Sequence, residues 1–298
     1  VVALLAFEFS IPIDGFRARV ATMLSDALGC PVTIGGSLHV VTGMEPGIEG
    51  LDVRLQECRL IRVARASADR VRVRVSVAAL FSREVRLVEI AGERLEVEVP
   101  TDAPAPAAAP VDAPSRWTFS GITRLDVAPA RVLIRSADAV PRPIELTGIA
   151  GSAQAGKPMQ FTLRGTHGGE AWEISVATAT LRDAIAGPER WPLDLKAAFA
   201  GANGSLRGSW TPLPLGVAGD LLLQSAAAER FFKAIDVDSP ELGRFEMTAR
   251  LAASRGHVSL DGMHFAGSVG AISGDARRAM HGDRPTFNIA LSADEIDY

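Results

Sequence analysis

Histidine side chains are the first candidates for chemistry in this 298-residue chain. None of the five has the HExxH spacing or the His–Cys spacing that zinc sites use. His167 and Glu170 come closest to a ligand pair, but they flank two glycines that indicate a hairpin turn. The others are expected to be ordinary surface or core residues, and we predict no metal site. The histidines are His39, His167, His257, His264 and His281.

Motifs for nucleotide binding and nucleophilic catalysis do not occur between a predicted strand and a predicted helix. There is no G-x-S-x-G elbow, Walker loop or Rossmann fingerprint in such a position. Residues 201–208 are rich in glycine, but they lead into a strand-like segment and indicate a hairpin turn. Asp236 and Asp238 follow a predicted helix, where carboxylates are usually solvated. We therefore expect a protein that is not an enzyme and binds no cofactor.

The composition narrows the classes of partner. A net charge of −4 and an aromatic content of 6% argue against nucleic acid, which favours basic surfaces and stacking platforms. The 28 glycines and 18 prolines fit many turns between short strands. Cys30 and Cys58 are too few for a disulfide scaffold. Two separate buried thiols are favoured over one bridge in an oxidising compartment.

The strongest pattern is the alternation of apolar and charged residues within 69–99. Such a period of two places the apolar side chains on one face of a strand and the charges on the other. A third, shorter strand around Val85, Leu87 and Ile90 lies between the two alternating segments. If those segments pair, Arg and Glu stand opposite each other, at about 0.2–1 kcal/mol per pair. The apolar members are Val71, Val73, Val75, Val77, Leu95, Val97 and Val99.

These seven residues are the candidates for lining a lipid-binding groove. Their face needs a cover, which is another sheet, a helix or a guest molecule. A groove for acyl chains needs rows of aliphatic side chains without buried charge, and these residues meet that need. Burial yields about 25 cal/mol per Å² whether protein or lipid is the cover. A closed core and a lipid-lined groove therefore both remain open.

The N-terminal residues suggest a membrane anchor followed by an amphipathic helix. Residues 1–7 are apolar and uncharged, and residues 1–10 are interpreted as the end of a transmembrane anchor, with a buried first strand as the alternative. Asp14 is a good N-cap, and Gly29 suits the helix end. The helix is expected to plug the end of the sheet; a position on the membrane surface is the weaker alternative, because only Arg17 and Arg19 are basic. The predicted stripe is Phe16, Val20, Met23, Leu24 and Leu28.

The rest of the chain indicates a mostly β protein. Residues 101–115, rich in Pro and Ala, are expected to be a linker or loop between an α+β segment at 11–100 and a β-rich segment at 116–298. Ser225 is expected to cap a further helix that buries Phe231 and Phe232, and residues 178–186 form a connection or a short helix. The predicted fold is a long curved antiparallel sheet, as a groove or sandwich, with an N-terminal plug helix and one further helix.

Three stretches in this order resemble the AsmA family of bacterial envelope proteins. The first is residues 13–16 (IDGF) with 27–34 (ALGCPVTI), where Cys30 replaces a usual basic residue. The second is the turn at residues 46–48 (PGI), where Glu45 replaces a usual Trp, followed by residues 66–73 and 90–97. The third extends from residues 218–221 (AGDL) to residues 284–297 (RPTFNIALSADEID). The resemblance covers both ends well and the middle loosely.

The resemblance implies a location and a function that the alternation itself does not contain. It implies an anchor in the bacterial inner membrane and a β-groove that faces the periplasm. It also implies phospholipid transport or outer-membrane biogenesis, with membrane lipid and envelope proteins as partners. The alternative is a structural β-module that supports envelope protein assembly without lipid cargo.

Overall fold

The computed structural model describes residues 8–28, 30–58, 63–100, 118–136, 139–186, 190–212, 215–237, 243–254, 256–268, 270–281 and 284–296. These residues form 19 strands and four short α-helices, which confirms the mostly β class. The chain divides into two compact units, Val1–Lys157 and Pro158–Tyr298. Residues 1–7 of the expected anchor and residues 101–115 of the expected linker lie outside the described residues. No described helix is both long enough and apolar enough to cross a bilayer.

The first unit begins with short elements tied to one another by hydrogen bonds. These are β1 (Ser10–Pro12), a 3-10 turn (Asp14–Phe16), α1 (Arg17–Leu28), β2 (Val32–Ile34) and β3 (Leu38–Val41). Asp14 is not the expected helix cap, because its carboxylate accepts a hydrogen bond from the Leu38 backbone N–H at 2.9 Å. The expectation of two separate thiols is also wrong, since Cys30 and Cys58 form a disulfide.

Long strands follow. They are β4 (Gly47–Cys58), β5 (Val63–Val75), β6 (Glu84–Glu93) and β7 (Leu95–Pro100), with α2 (Val77–Phe81) between β5 and β6. Val77 was expected to extend the alternating strand, but it begins α2, where Ser76 caps the helix by accepting a hydrogen bond from the Ala79 N–H. Ser76 is a favoured N-cap type, and three of the next four residues favour helix, which ends the strand at Val75.

The last strands of this unit add parallel pairing to a sheet that was expected to be antiparallel. They are β8 (Thr118–Val127), β9 (Ala130–Ser136) and β10 (Ala139–Gln154). β8 lies parallel to β6, β9 lies parallel to β7, and β10 is antiparallel to both β8 and β9. The strand pairing therefore joins the segments on the two sides of residues 101–115, and the first compact unit ends at Lys157.

In this sheet the alternation of apolar and polar positions shifts by one residue about halfway along the strands. In β4, Gly50 and Val53 are three positions apart, which in a regular strand would place them on opposite faces. A Cβ atom at Gly50 would nevertheless lie 3.3 Å from Val53 Cγ2, so both residues face the same side. Asp52, between them, has a positive φ of 52°. This irregular residue keeps the apolar side of β4 continuous.

The second unit is an antiparallel meander in which each described strand pairs with its sequence neighbours. α3 (Leu181–Ala186) follows the second strand and α4 (Ala228–Ala234) follows the fifth, so the described chain has more than the one further helix expected. Ser225 is buried at the end of a strand and does not cap α4, whose N-cap is Ala227. The strands are β11 (Pro158–His167), β12 (Glu170–Thr180), β13 (Trp191–Phe199), β14 (Ala202–Pro212), β15 (Leu215–Ser225), β16 (Phe245–Ser254), β17 (His257–Gly267), β18 (Gly270–His281) and β19 (Arg284–Ile296).

Candidate functional site

The sheet of the second unit has one apolar side that extends across its strands. The register places Leu195 opposite Leu206, Leu206 opposite Leu221, and Leu221 opposite Ala249. Directly paired residues share a face, so the same alternation continues from strand to strand. From β11 to β17 the one charged residue among the described positions on this side is Glu170, at the start of β12, which binds Arg230 of α4. We call this side the apolar face; its larger members are Phe161, Leu163, Trp172, Ile174, Val176, Leu193, Leu195, Leu206, Trp210, Leu221, Leu223, Met247, Leu251, Leu260, Met263 and Phe265.

The apolar face is only partly hidden from solvent. Leu206 and Phe245 are buried, but Leu195, Leu221 and Leu223 are only half-buried. The inner faces of a sandwich would bury these side chains fully, since two sheets interdigitate across a core about 10 Å thick. This surface can therefore accept apolar groups from outside the unit, which a filled core cannot do.

Most charges lie on the opposite side of the same sheet, although Glu170 on β12 and Arg278 on β18 lie on the apolar side. Asp194, Arg207, Asp220, Arg250 and Asp261 follow one another across five neighbouring strands with alternating sign. Arg277 donates to Asp261 at 2.8 Å, and this hydrogen bond lowers the pKa of Asp261. The other pairs are longer and exposed, so they specify register more than they add stability.

α4 closes one end of the apolar face with aromatic side chains. The ring of Phe231 lies 6.3 Å from that of Phe199 and 6.2 Å from that of Phe245, measured between centroids. Phe232 lies 5.9 Å from Phe245, which in turn stacks on Phe265 at 5.4 Å. These five residues form the aromatic cluster. Rings at such separations stabilise one another beyond their burial, by about 0.5–1.5 kcal/mol per pair.

Two carboxylates attach α4 to the sheet. Arg230 donates two hydrogen bonds to Glu170 on β12, at 3.0 and 2.7 Å, and these bonds lower the pKa of Glu170. Glu229 accepts a hydrogen bond from the Gly243 backbone N–H at 2.8 Å, which lowers its pKa. Both attachments are therefore stronger when the carboxylates are ionised, although solvent exposure limits their strength.

The opposite end of the apolar face carries a tryptophan pair. Trp191 and Trp210 meet edge to face, with centroids 5.0 Å apart. The indole N–H of Trp210 donates to the Thr178 hydroxyl at 2.8 Å, and that hydroxyl donates to the Pro192 carbonyl at 2.8 Å. The indole N–H of Trp210 and the hydroxyl of Thr178 therefore both have acceptors within the unit, and neither needs a hydrogen-bond partner from outside.

The sequence-predicted groove residues lie in the first unit. Val71, Val73 and Val75 lie on β5, and all three are half-buried. Their neighbours on β6 are Gly92, Ile90 and Leu87. Leu95, Val97 and Val99 lie on β7, also half-buried, and they stand beside Ala130, Val132 and Ile134 of β9.

The strand register does not bring the two predicted sets of residues directly opposite each other. β7 pairs with the first half of β5, where Val97 stands opposite Ala66. The valines of β5 lie in its second half, next to β6. The structure therefore places both sets on one sheet but at different positions along it, and it places Val77 in α2.

The charge partners of the β5 arginines also differ from the expectation. Arg70 and Arg72 both contact Glu49, and Arg70 also contacts Glu93. Arg74 binds Glu8 with two hydrogen bonds, which lower the pKa of Glu8. The expected partners, Glu96 and Glu98, lie beside the other half of β5, opposite Ser67 and Arg65. The prediction that these arginines pair with glutamates across strands is correct, but the glutamates involved are not the predicted ones.

Groups with metal-binding or catalytic potential are not brought together in the part of the chain that the structure describes. No cluster of three or more His, Cys, Asp or Glu side chains occurs there. The ring of His167 contacts that of Phe199 at 6.1 Å, whereas Glu170 binds Arg230. His264 Nδ1 forms a hydrogen bond with the Ser273 hydroxyl at 3.1 Å.

The apolar face of the second unit was not among the candidate sites predicted from the sequence. Its signal was present in residues 193–199 and 217–223, where aliphatic residues alternate with polar or small ones. The aromatic cluster gave less signal, since Phe199, Phe245 and Phe265 come from three separate strands. No protein-family model matches the chain, and a search of curated proteins finds no match.

Proposed function

We propose that this protein is a membrane-anchored envelope protein of the AsmA type that holds lipid acyl chains against its apolar sheet surfaces. It would take part in phospholipid transport or outer-membrane biogenesis. The observation that carries the proposal is the apolar face of the second unit, which from β11 to β17 carries a single charged residue, Glu170, and is only half-buried at Leu195, Leu221 and Leu223. The half-buried Val71, Val73 and Val75 in the first unit support the same use.

The proposed location is the bacterial inner membrane, with the sheets in the periplasm. The Cys30–Cys58 disulfide supports this location, because disulfides persist in oxidising compartments such as the periplasm. The sequence resemblance to the AsmA family supports it independently. Glu170, the one charged residue on the apolar face from β11 to β17, is already paired with Arg230, which favours acyl chains over headgroups as the bound part, since a charged headgroup there would lose its hydration without a partner.

Native mass spectrometry tests the proposal with two variants of adjacent residues. Leu221 lies on the apolar face, whereas Leu222 lies between Ser205 and Thr248 on the polar side of the same strand. The full chain, purified gently from membranes, should carry phospholipid. Leu221→Asp should lose most of it and Leu222→Asp should keep it, with circular dichroism showing that both fold. Lipid-free protein, or equal retention by both variants, would contradict lipid binding by this face.

A scaffolding function is the second candidate, and the edge strand β19 favours it. Its Phe287, Ile289 and Leu291 are exposed, and the described residues supply no partner strand on the side away from β18. An exposed apolar edge can pair with an extended segment of another protein. Photo-crosslinking from Ile289 would then capture protein and no lipid, whereas lipid adducts at that position would oppose a purely structural function.

A further inference from the structure

α1 turns its apolar stripe away from the protein to which it belongs. Phe16 is 59% exposed, Met23 65% and Leu24 40%. At 100° per residue these three side chains lie on one side of the helical segment. The sequence predicted that this stripe would plug the end of the sheet; Val20 is half-buried, but the three larger side chains are left uncovered. An amphipathic helix usually directs such a stripe to the core, so the reversed orientation requires a cause.

Polar contacts on the other side of α1 fix this orientation. The Ser25 hydroxyl accepts a hydrogen bond from the Val32 backbone N–H of β2 at 2.8 Å. Arg17 Nη1 donates to the Gly36 carbonyl at 2.9 Å. The Cys30–Cys58 disulfide then joins the chain just after the helix to the end of β4. Rotating the stripe inward would break these hydrogen bonds, so the stripe can be covered only from outside.

We propose that α1 lies in the lipid–water interface of a bilayer, with Phe16, Met23 and Leu24 inserted at the headgroup–acyl boundary. The proposal rests in part on the proposed membrane anchoring. Phenylalanine, leucine and methionine suit that depth, and the uncharged run at residues 1–7 precedes β1 in the same N-terminal part of the chain. Arg17 and Arg19 are balanced by Asp14 and Asp26 in the same segment. Binding would therefore come from apolar insertion and not from attraction to anionic lipids.

A second copy of the chain is a poorer occupant of this stripe. Its three exposed side chains offer on the order of 300 Å² of surface, whereas a stable protein interface buries roughly 800 Å² per partner. A bilayer has no such minimum, because apolar side chains insert individually. The stripe is thus better matched to a lipid surface than to a protein.

Depth-dependent fluorescence quenching tests this inference on the full chain. The native cysteines are joined, so a single thiol introduced by Met23→Cys can be labelled with an environment-sensitive dye. Thr22→Cys is the matched control, because Thr22 is also exposed but lies outside the stripe. The labelled protein is reconstituted into phosphatidylcholine vesicles with and without a spin-labelled lipid. Emission at position 23 should shift to the blue and be quenched several-fold more strongly than at position 22, and added salt should leave this unchanged.

Three other results would each overturn the inference. Equal quenching at both positions would mean that the stripe does not enter the bilayer. A blue shift at position 23 without vesicles would mean that the chain itself covers the stripe, and a lipid-independent shift that rises with protein concentration would identify a second copy. If quenching fails while native mass spectrometry still finds bound phospholipid, the interfacial helix is wrong and the lipid-binding proposal stands.

Discussion

α1 and α4 are short helices in different units, and the phenylalanines within or next to them differ in how far they are covered. Phe231 and Phe232 of α4 contact Phe199 and Phe245 on the sheet of their unit. Phe16, in the 3-10 turn immediately before α1, is mostly exposed. α4 is attached by side-chain contacts to neighbouring strands, whereas α1 is followed at once by a disulfide to β4.

The comparison indicates that the two helices serve different surfaces. α4 covers one end of an apolar face, and its own apolar residues supply the cover. α1 covers little of its sheet with apolar residues and keeps its stripe for an external partner. Amphipathic periodicity alone therefore does not show which way a helix faces, since both segments have apolar residues at helical spacing.

The largest expected difference is in the stability lost when Phe245, which the phenylalanines of α4 contact, or Phe16, next to α1, is replaced. Phe245 is 2% exposed and contacts Phe231, Phe232 and Phe265. Phe245→Ala should lower the free energy of unfolding of the second unit by about 3–5 kcal/mol through lost burial and a cavity. Phe16→Ala should change stability by less than about 0.5 kcal/mol. Urea unfolding followed by circular dichroism measures both, and similar losses would mean that the two helices do not differ in packing.

The disulfide next to α1 should have the second-largest effect. Cys30 and Cys58 are separated by 28 positions, and a loop of that size corresponds to about 3–4 kcal/mol in the chain-entropy account. The double variant Cys30→Ser with Cys58→Ser should lose about that much stability in the first unit and none in the second. Denaturation of the wild type with and without reductant checks this, and the double variant, which reductant should not affect, is the control.

The attachment of α4 should depend on pH, with a small effect. The pKa values of Glu170 and Glu229 are lowered in the folded protein, so their contribution is present above the unfolded pKa of about 4.3. It is lost as the pH falls below that value through the folded pKa. Amide exchange within residues 228–234, corrected for the intrinsic rate, should therefore accelerate at pH 3 relative to pH 7.

A neutral variant separates this effect from general acid unfolding. Glu170→Gln should accelerate exchange in α4 at pH 7, because the glutamine offers no charge to Arg230. Glu173→Gln is the control: Glu173 lies on the same strand but pairs with Arg164 at 2.8 Å. Unchanged exchange in Glu170→Gln, or equal acceleration in both variants, would show that the Arg230 contact does not hold α4.

The sequence predicted the parts of the fold that depend on local pattern. Alternation in residues 71–75 and 95–99 gave strands with the correct apolar side, and the glycine turns gave the meander of the second unit. The parallel pairing of β6 with β8 and of β7 with β9 could not be predicted, because it joins segments on either side of residues 101–117. Nor could the end of β5, since Val77 continues the alternation but the helix capped by Ser76 overrides it.

The candidate site was harder to predict than the fold. Alternation identifies which residues share a face, but it does not show whether a second layer covers that face. The direction of α1 depends on single polar contacts such as that of Ser25 with Val32, which no periodicity reveals. The Cys30–Cys58 bridge likewise depends on the meeting of β4 with the end of α1 in space.

Photolabelling with phospholipid tests the central claim most directly. A phospholipid with a photoactivatable group on its acyl chain is incorporated during gentle purification, irradiated, and the adducts are mapped by peptide mass spectrometry. Adducts should fall on Leu195 and Leu221, and on Val73 in the first unit, and they should spare the adjacent Lys196, Leu222 and Arg72 on the opposite sides. Adducts spread equally over both sides, or none at all, would contradict lipid binding by the apolar sides of these sheets.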